Sequence, residues 1–105
     1  MSNKHGRIRA KAKDGGIGVR ALISHPMETG SRIDPATNQA IPRHYIQQVI
    51  CEHNGEIVLS LDWGWGVSPK PYLAFHIQHG QPGDSVVIRW TDDRGESSSL
   101  ETKVG

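Results

Sequence analysis

Six histidines, one cysteine and a stretch dense in charged and sulfur-bearing side chains are the parts of this 105-residue sequence that can do chemistry. The histidines are His5, His25, His44, His53, His76 and His79. Metal motifs place ligands at fixed short spacings, such as two histidines four apart on a helix or paired Cys and His. None of those spacings occurs here. Cys51 and His53 lie two apart on a strand and share a face, but they offer two ligands, fewer than a site needs. A blue-copper centre needs a Cys closely followed by His and Met on one loop, and both methionines, Met1 and Met27, precede Cys51. Ser24 and His25 are adjacent on an extended segment, so their side chains point oppositely and cannot work as nucleophile and base. Asp92-Asp93 sits in a tight turn, where Asp caps its own backbone. Cys51 lies mid-strand among apolar residues, where burial raises the thiol pKa and leaves it inert. These residues predict no catalytic group, no metal and no cofactor.

The stretch that does suggest function is Leu22-Ile23-Ser24-His25-Pro26-Met27-Glu28-Thr29-Gly30-Ser31-Arg32. Pro26 has no backbone donor and biases His25 toward extended geometry. Polar sequence then continues to Ile41-Pro42-Arg43, a connection of about 18 residues where 4–6 is usual. A Met, a Glu and an Arg between Pro26 and Pro42, with a second Arg directly after Pro42, are not the composition of a passive linker. Met27 offers polarizable sulfur. Arg32 and Arg43 offer planar, multi-donor positive charge suited to an anion, and Glu28 can pair with one of them. Trp63 and Trp65, flanked by glycines, read equally as an interface hot spot or as a lid on the core.

The elements that must position these residues are strands. Ile8, Ala10 and Ala12 alternate with Arg7, Arg9, Lys11 and Lys13, the pattern of a half-buried strand. Asp14-Gly15-Gly16 is a turn, and Val19, Ala21 and Ile23 carry a second strand. A third, Tyr45 to His53, is apolar enough to be central. Asn54-Gly55 predicts a type I′ hairpin returning through Glu56 to Leu61, with Ile57, Leu59 and Leu61 on one face. After the Trp, Gly and Pro-rich segment 62–71, Leu73, Phe75 and Ile77 point inward, then Val86, Ile88 and Trp90. Asp92-Asp93-Arg94-Gly95 closes the last hairpin, and Glu96 to Val104 is the final strand. About seven short strands with regular turn signals and no amphipathic helix predict an all-β, immunoglobulin-like antiparallel β-sandwich, one domain over residues 1–105.

Composition bounds the function further. A net charge of +1, with basic and acidic residues interspersed, has no basic stripe for nucleic acid. No run approaches the 18 or so apolar residues of a membrane span. The single cysteine allows no internal disulfide. The N-terminus has a basic start with no apolar stretch behind it, so it does not read as a secretory signal.

The residues also carry a resemblance. Leu22-Ile23-Ser24-His25-Pro26-Met27-Glu28-Thr29-Gly30-x-Arg32-x-Asp34, closing with Ile41-Pro42-Arg43, resembles the SoxZ family. The likeness continues through Cys51-Glu52-His53-Asn54-Gly55, Pro71-Tyr72-Leu73-x-Phe75 and Trp90-Thr91-Asp92-Asp93-x-Gly95. Ser68-Pro69-Lys70-Pro71 departs from the family's usual Ser-Ala-Asn-Pro run, and the Trp63-Gly64-Trp65 stretch is unusual for it. The resemblance implies an immunoglobulin-like sandwich that pairs with SoxY, the subunit holding substrate sulfur on a cysteine in a glycine-rich arm. It implies a non-catalytic role in thiosulfate oxidation, helping to present that arm to Sox enzymes through transient contacts. The chain ends Thr102-Lys103-Val104-Gly105, without a carrier arm. Periplasmic location would follow from co-export with a signal-bearing SoxY. The expected partner and carrier-arm surface comprises His25, Pro26, Met27, Glu28, Thr29, Gly30, Arg32, Pro42, Arg43, Pro71 and Tyr72. The competing readings are a His-rich metal-binding or redox β-sandwich and a generic adhesion module. Stoichiometric metal or turnover without a partner marks the first; an export signal of its own would mark the second.

Overall fold

The period-two alternation of apolar and polar residues becomes strand throughout the computed structural model, which describes residues 6–25, 27, 28, 30–63 and 72–105. In chain order the strands are β1 (Gly6–Lys13), β2 (Gly16–Ile23), β3 (Ile33–Asp34), β4 (Gln39–Ala40), β5 (Ile46–His53), β6 (Glu56–Asp62), β7 (Tyr72–Ile77), β8 (Ser85–Asp92) and β9 (Ser97–Lys103). Seven are long, as the sequence predicts, and two are two-residue strands inside the loop.

Two sheets pack as a sandwich, one ordered β1-β2-β7 and the other β6-β5-β8-β9, with every neighbouring pair antiparallel. The fold is all-β and immunoglobulin-like. Ile17, Val19, Ala21 and Ile23 of β2, with Leu73 and Ile77 of β7, supply one core layer. Ile46, Val49 and Cys51 of β5, Val86, Ile88 and Trp90 of β8 and Leu100 of β9 supply the other. Each fully buried Ile, Leu or Val stabilises the fold by about 1.5–3 kcal/mol of removed apolar surface. The β5 strand lies between β6 and β8, central as its composition predicts.

The Asn54-Gly55 hairpin forms as expected, with φ of 51° and 85° at its two centres. Two bulges depart from simple alternation. A register shift between Ile46 and Gln48 lets Ile46 and Val49, three apart, both point inward. A second, opposite Cys51 and Glu52, skips Val58 and turns Ile57 out of the core. Ile57 is 57% exposed, against the prediction that it shares a face with Leu59 and Leu61, which do pack on the core.

The long connection is also more ordered than its composition suggests. Backbone bonds from Glu28 N–H to His44 O (2.8 Å) and from His44 N–H to Glu28 O (3.0 Å) pin its two arms together. Within it, β3 and β4 pair through a turn in which the Asp34 carboxylate accepts from Ala36 N–H at 2.9 Å and Asn38 adopts φ 59°. The ends are therefore fixed by a bridge, beyond any restriction the prolines impose.

Candidate functional site

The loop, residues 28–44, stands at the end of the sandwich where β2 finishes and β5 begins, and where β8 runs into its hairpin. Its anchor is the Asp92-Asp93 pair. The Asp92 side chain is only 3% exposed. Its Oδ1 accepts from the backbone N–H groups of Arg94 and Glu96, both at 2.9 Å. This is the backbone cap that the sequence predicts for a turn Asp. Its Oδ2 has a second role, lying 3.1 Å from His25 Nε2 and 2.9 Å from His44 Nε2. The two imidazoles meet edge to face with centroids 4.5 Å apart. Burial alone would raise the Asp92 pKa, but the His25 and His44 contacts and the two backbone donors outweigh it and hold the carboxyl at about 2. An ionised carboxylate has no proton to give, so each imidazole donates through Nε2.

Asp93 anchors the exit of the loop. Its Oδ1 accepts from Tyr45 N–H at 2.9 Å, and its Oδ2 accepts from Arg43 Nε at 3.3 Å. The Arg43 guanidinium also lies over the Tyr45 ring, 5.7 Å from the centroid. Arg94 donates to the Arg43 carbonyl at 3.3 Å. At the entrance, Arg32 Nε donates to both Glu28 oxygens at 3.1 and 3.2 Å, and its Nη2 also reaches Oε1. The Arg32 hydrogen bond lowers the Glu28 pKa. Gly30 sits at φ 91°, and a Cβ there would meet the Arg43 Cβ at 3.4 Å. That contact is ordinary, so glycine is favoured by the positive φ and not by lack of space.

The candidate residues sort as follows. Glu28, Gly30, Arg32, Pro42 and Arg43 are gathered at the loop end, and Arg32 and Arg43 keep most of their side chains in solvent, 63% and 57% exposed. Both arginines are nonetheless paired within the chain, Arg32 with Glu28 and Arg43 with Asp93. His25 is partly buried against Asp92. Met27 differs from expectation: it is 6% exposed, and its sulfur lies 3.5 Å from Ile46 N–H as part of the core. It therefore supports the loop from below and does not offer its sulfur at the surface. Tyr72 is 60% exposed and pairs with Leu22 near the end of β2, so it reaches the same end of the sandwich on the outer face of the three-stranded sheet. Pro26, Thr29 and Pro71 lie outside the described residues, as do Trp65 and the Ser68-Pro69-Lys70-Pro71 segment. Trp63 packs half-buried on the core, which favours the lid reading for that ring.

The joint role of His25, His44 and Asp92 was not legible in the sequence, because His25 and His44 stand 67 and 48 residues from Asp92. The one available signal was a turn Asp in a doublet facing the mouth of a long loop with histidines at both its ends. Cys51 is fully buried, and desolvation first, then the Glu52 charge, push its thiol up to about 11. No described helix is long and apolar enough to cross a membrane.

The fold and this anchored loop define an all-β sandwich of immunoglobulin type whose distinctive sequence is concentrated at one end. The profile of the family described as "Sulphur oxidation protein SoxZ" matches residues 7–103, so the chain belongs to the SoxZ family and has a role in sulfur oxidation. None of the curated proteins compared with it matches.

Proposed function

We propose that this chain is the non-carrier, non-catalytic half of a sulfur-carrier heterodimer. It pairs one to one with a SoxY-like chain that bears substrate sulfur on a cysteine arm, and together they present that arm to the enzymes of thiosulfate oxidation. The observation that carries this reading is the state of the single thiol. A carrier cysteine must be accessible and ionise near neutral pH. Cys51 is fully buried with its pKa pushed up to about 11, so it is unsuited to carry sulfur, which supports a covalent carrier on a partner.

The loop end is the surface proposed to face the partner's arm. Exposed Arg32 and Arg43 bring positive charge toward an anionic sulfur adduct, and Gly30 and Pro42 lie beside them with Tyr72 at the same end. The Glu28 and Asp93 partners hold the two guanidiniums in place. Contact with a partner of standard size buries about 1,600 Å² in total. The chain reaches the periplasm in this reading by co-export with a signal-bearing partner.

Co-expression with a SoxY-like chain followed by size-exclusion chromatography tests the pairing. A stable 1:1 species at micromolar concentration is expected, and separate elution refutes it. Arg32→Ala and Arg43→Ala, assayed in the heterodimer, should lower sulfur loading or turnover several-fold for at least one variant while the complex persists. Wild-type turnover and affinity in both would remove the loop from the functional surface. Fractionation should find the chain outside the cytoplasm only when the signal-bearing partner is present.

A further inference from the structure

We propose that His25, His44 and Asp92 form a binding site for one divalent transition-metal ion of the zinc class, clipping both ends of the loop to the end of β8. The inference does not depend on the carrier reading, since it concerns ligands within this chain alone; with the SoxZ family shown over residues 7–103, one bound zinc is a clip on the loop and no longer marks a competing function.

Three potential ligand atoms converge. Nε2 of His25 and Nε2 of His44 lie 3.1 and 2.9 Å from the same Asp92 Oδ2, and all three atoms are within 4.8 Å of one another. Bonds of about 2.0–2.2 Å from zinc to imidazole nitrogen and carboxylate oxygen put neighbouring ligands roughly 3–3.5 Å apart. The cluster thus needs only side-chain adjustment to surround an ion. Among the described residues it is the one group of three or more His, Cys, Asp or Glu side chains with this convergence.

The surroundings fit a ligand set as well. Metal-bound carboxylates are held by hydrogen bonds to their other oxygen. Asp92 Oδ1 is so held, by Arg94 N–H and Glu96 N–H at 2.9 Å, which leaves Oδ2 aimed at the two rings. The site is shielded but reachable: the His25 and His44 side chains are 11% and 18% exposed, and Asp92 is 3% exposed. Two imidazoles and one carboxylate are borderline donors that suit zinc, cobalt or nickel. Calcium and magnesium prefer all-oxygen shells. Ion entry replaces the two N–H···O contacts, and each ring moves its proton from Nε2 to Nδ1 so that Nε2 presents its lone pair to the ion. Three protein ligands leave a coordination position for water or an anion.

Zinc titration of the untagged full-length chain by calorimetry, with magnesium and calcium as comparison ions, tests the site. One zinc per chain with dissociation in the micromolar range or tighter, and no saturable magnesium or calcium binding, is expected. His44→Gln should weaken zinc at least tenfold, whereas His53→Gln, which alters a different His–Asp pair, should bind as wild type. Nitrogen-15 NMR of the histidine rings in the wild-type chain gives a readout that needs no variant: zinc should shift Nε2 of His25 and His44 alone. No saturable zinc binding at up to 100-fold weaker than micromolar, unchanged binding in His44→Gln, or ring shifts on His5, His53, His76 or His79 in place of His25 and His44 would each overturn the proposal.

Discussion

At one end of the β5–β8 strand pair Asp84 accepts from a single histidine, His53, at 2.8 Å. At the other end, about 27 Å along the strands at about 3.4 Å per residue, Asp92 accepts from two, His25 and His44. The Asp84 end is built from two tight turns, the Asn54-Gly55 hairpin and the turn in which Gln81 N–H donates to Asp84 Oδ2 at 3.1 Å, joined across the strands by Ser85 N–H donating to Asn54 Oδ1 at 2.8 Å. The Asp92 end holds a long loop whose arms are closed by the Glu28–His44 bridge and docked on a carboxylate 48 residues beyond His44. One end terminates strands. The other displays a segment, and its exposed arginines are held by acidic side chains from the loop and from the β8–β9 hairpin. Equivalent His–Asp chemistry therefore does different work, depending on whether it closes a turn or clamps a loop.

Asp92→Ala should give the largest effect. It strands two imidazoles and two backbone N–H groups at a nearly buried position, a loss of about 3 kcal/mol. Urea denaturation measures it, and Asp84→Ala should fall clearly below it. Equal losses would break the distinction between the two ends. Gly30→Ala comes next: an alanine at φ 91° facing Arg43 costs about 1–2 kcal/mol and perturbs the loop end only, visible as amide shift changes confined there. Cys51→Ala, within β5 between the two ends, should cost on the order of 1 kcal/mol from a small cavity and leave both ends and partner binding intact. Loss of sulfur oxidation with the fold preserved would show the thiol to be reactive after all. The smallest effect concerns acid. The His53 hydrogen bond, then Gln81 N–H, lower the Asp84 pKa. A depressed folded value contributes stability above the unfolded pKa of about 3.9 and loses it as pH falls through the folded value. Asp84→Asn should therefore lose slightly in stability at neutral pH and show a flatter decline below about pH 4; an unchanged acid limb would contradict the pairing.

Legibility in the sequence follows the same division. Val86, Ile88 and Trp90 declare an inward face by alternation alone, and Asn54-Gly55 declares its turn, because both signals are local. The bulge at Ile46–Gln48 and the outward turn of Ile57 are set by pairing with β8 and β5, so single-strand periodicity misplaces Ile57. Arg32, Gly30 and Arg43 were identifiable as a charged, proline-bounded loop, and Glu28 pairs with Arg32 at the helix-like spacing of four. Met27 was misread because a sulfur in a polar segment looks available until Ile46 closes over it. The convergence of His25 and His44 on Asp92 is a product of topology: β2, β5 and β8 finish or begin at one end of the sandwich, and no spacing in the sequence records that.

The central claim, that the loop end is where a SoxY-like partner sits, is tested most directly by amide hydrogen exchange of the chain alone and in the co-expressed complex. Slowed exchange is predicted across residues 28–44 and at the start of β7 around Tyr72, with the hairpin at Asn54-Gly55 and the turn at 80–84 unchanged. Protection confined to the Asn54 and Asp84 end, with residues 28–44 exchanging as in the free chain, would contradict it.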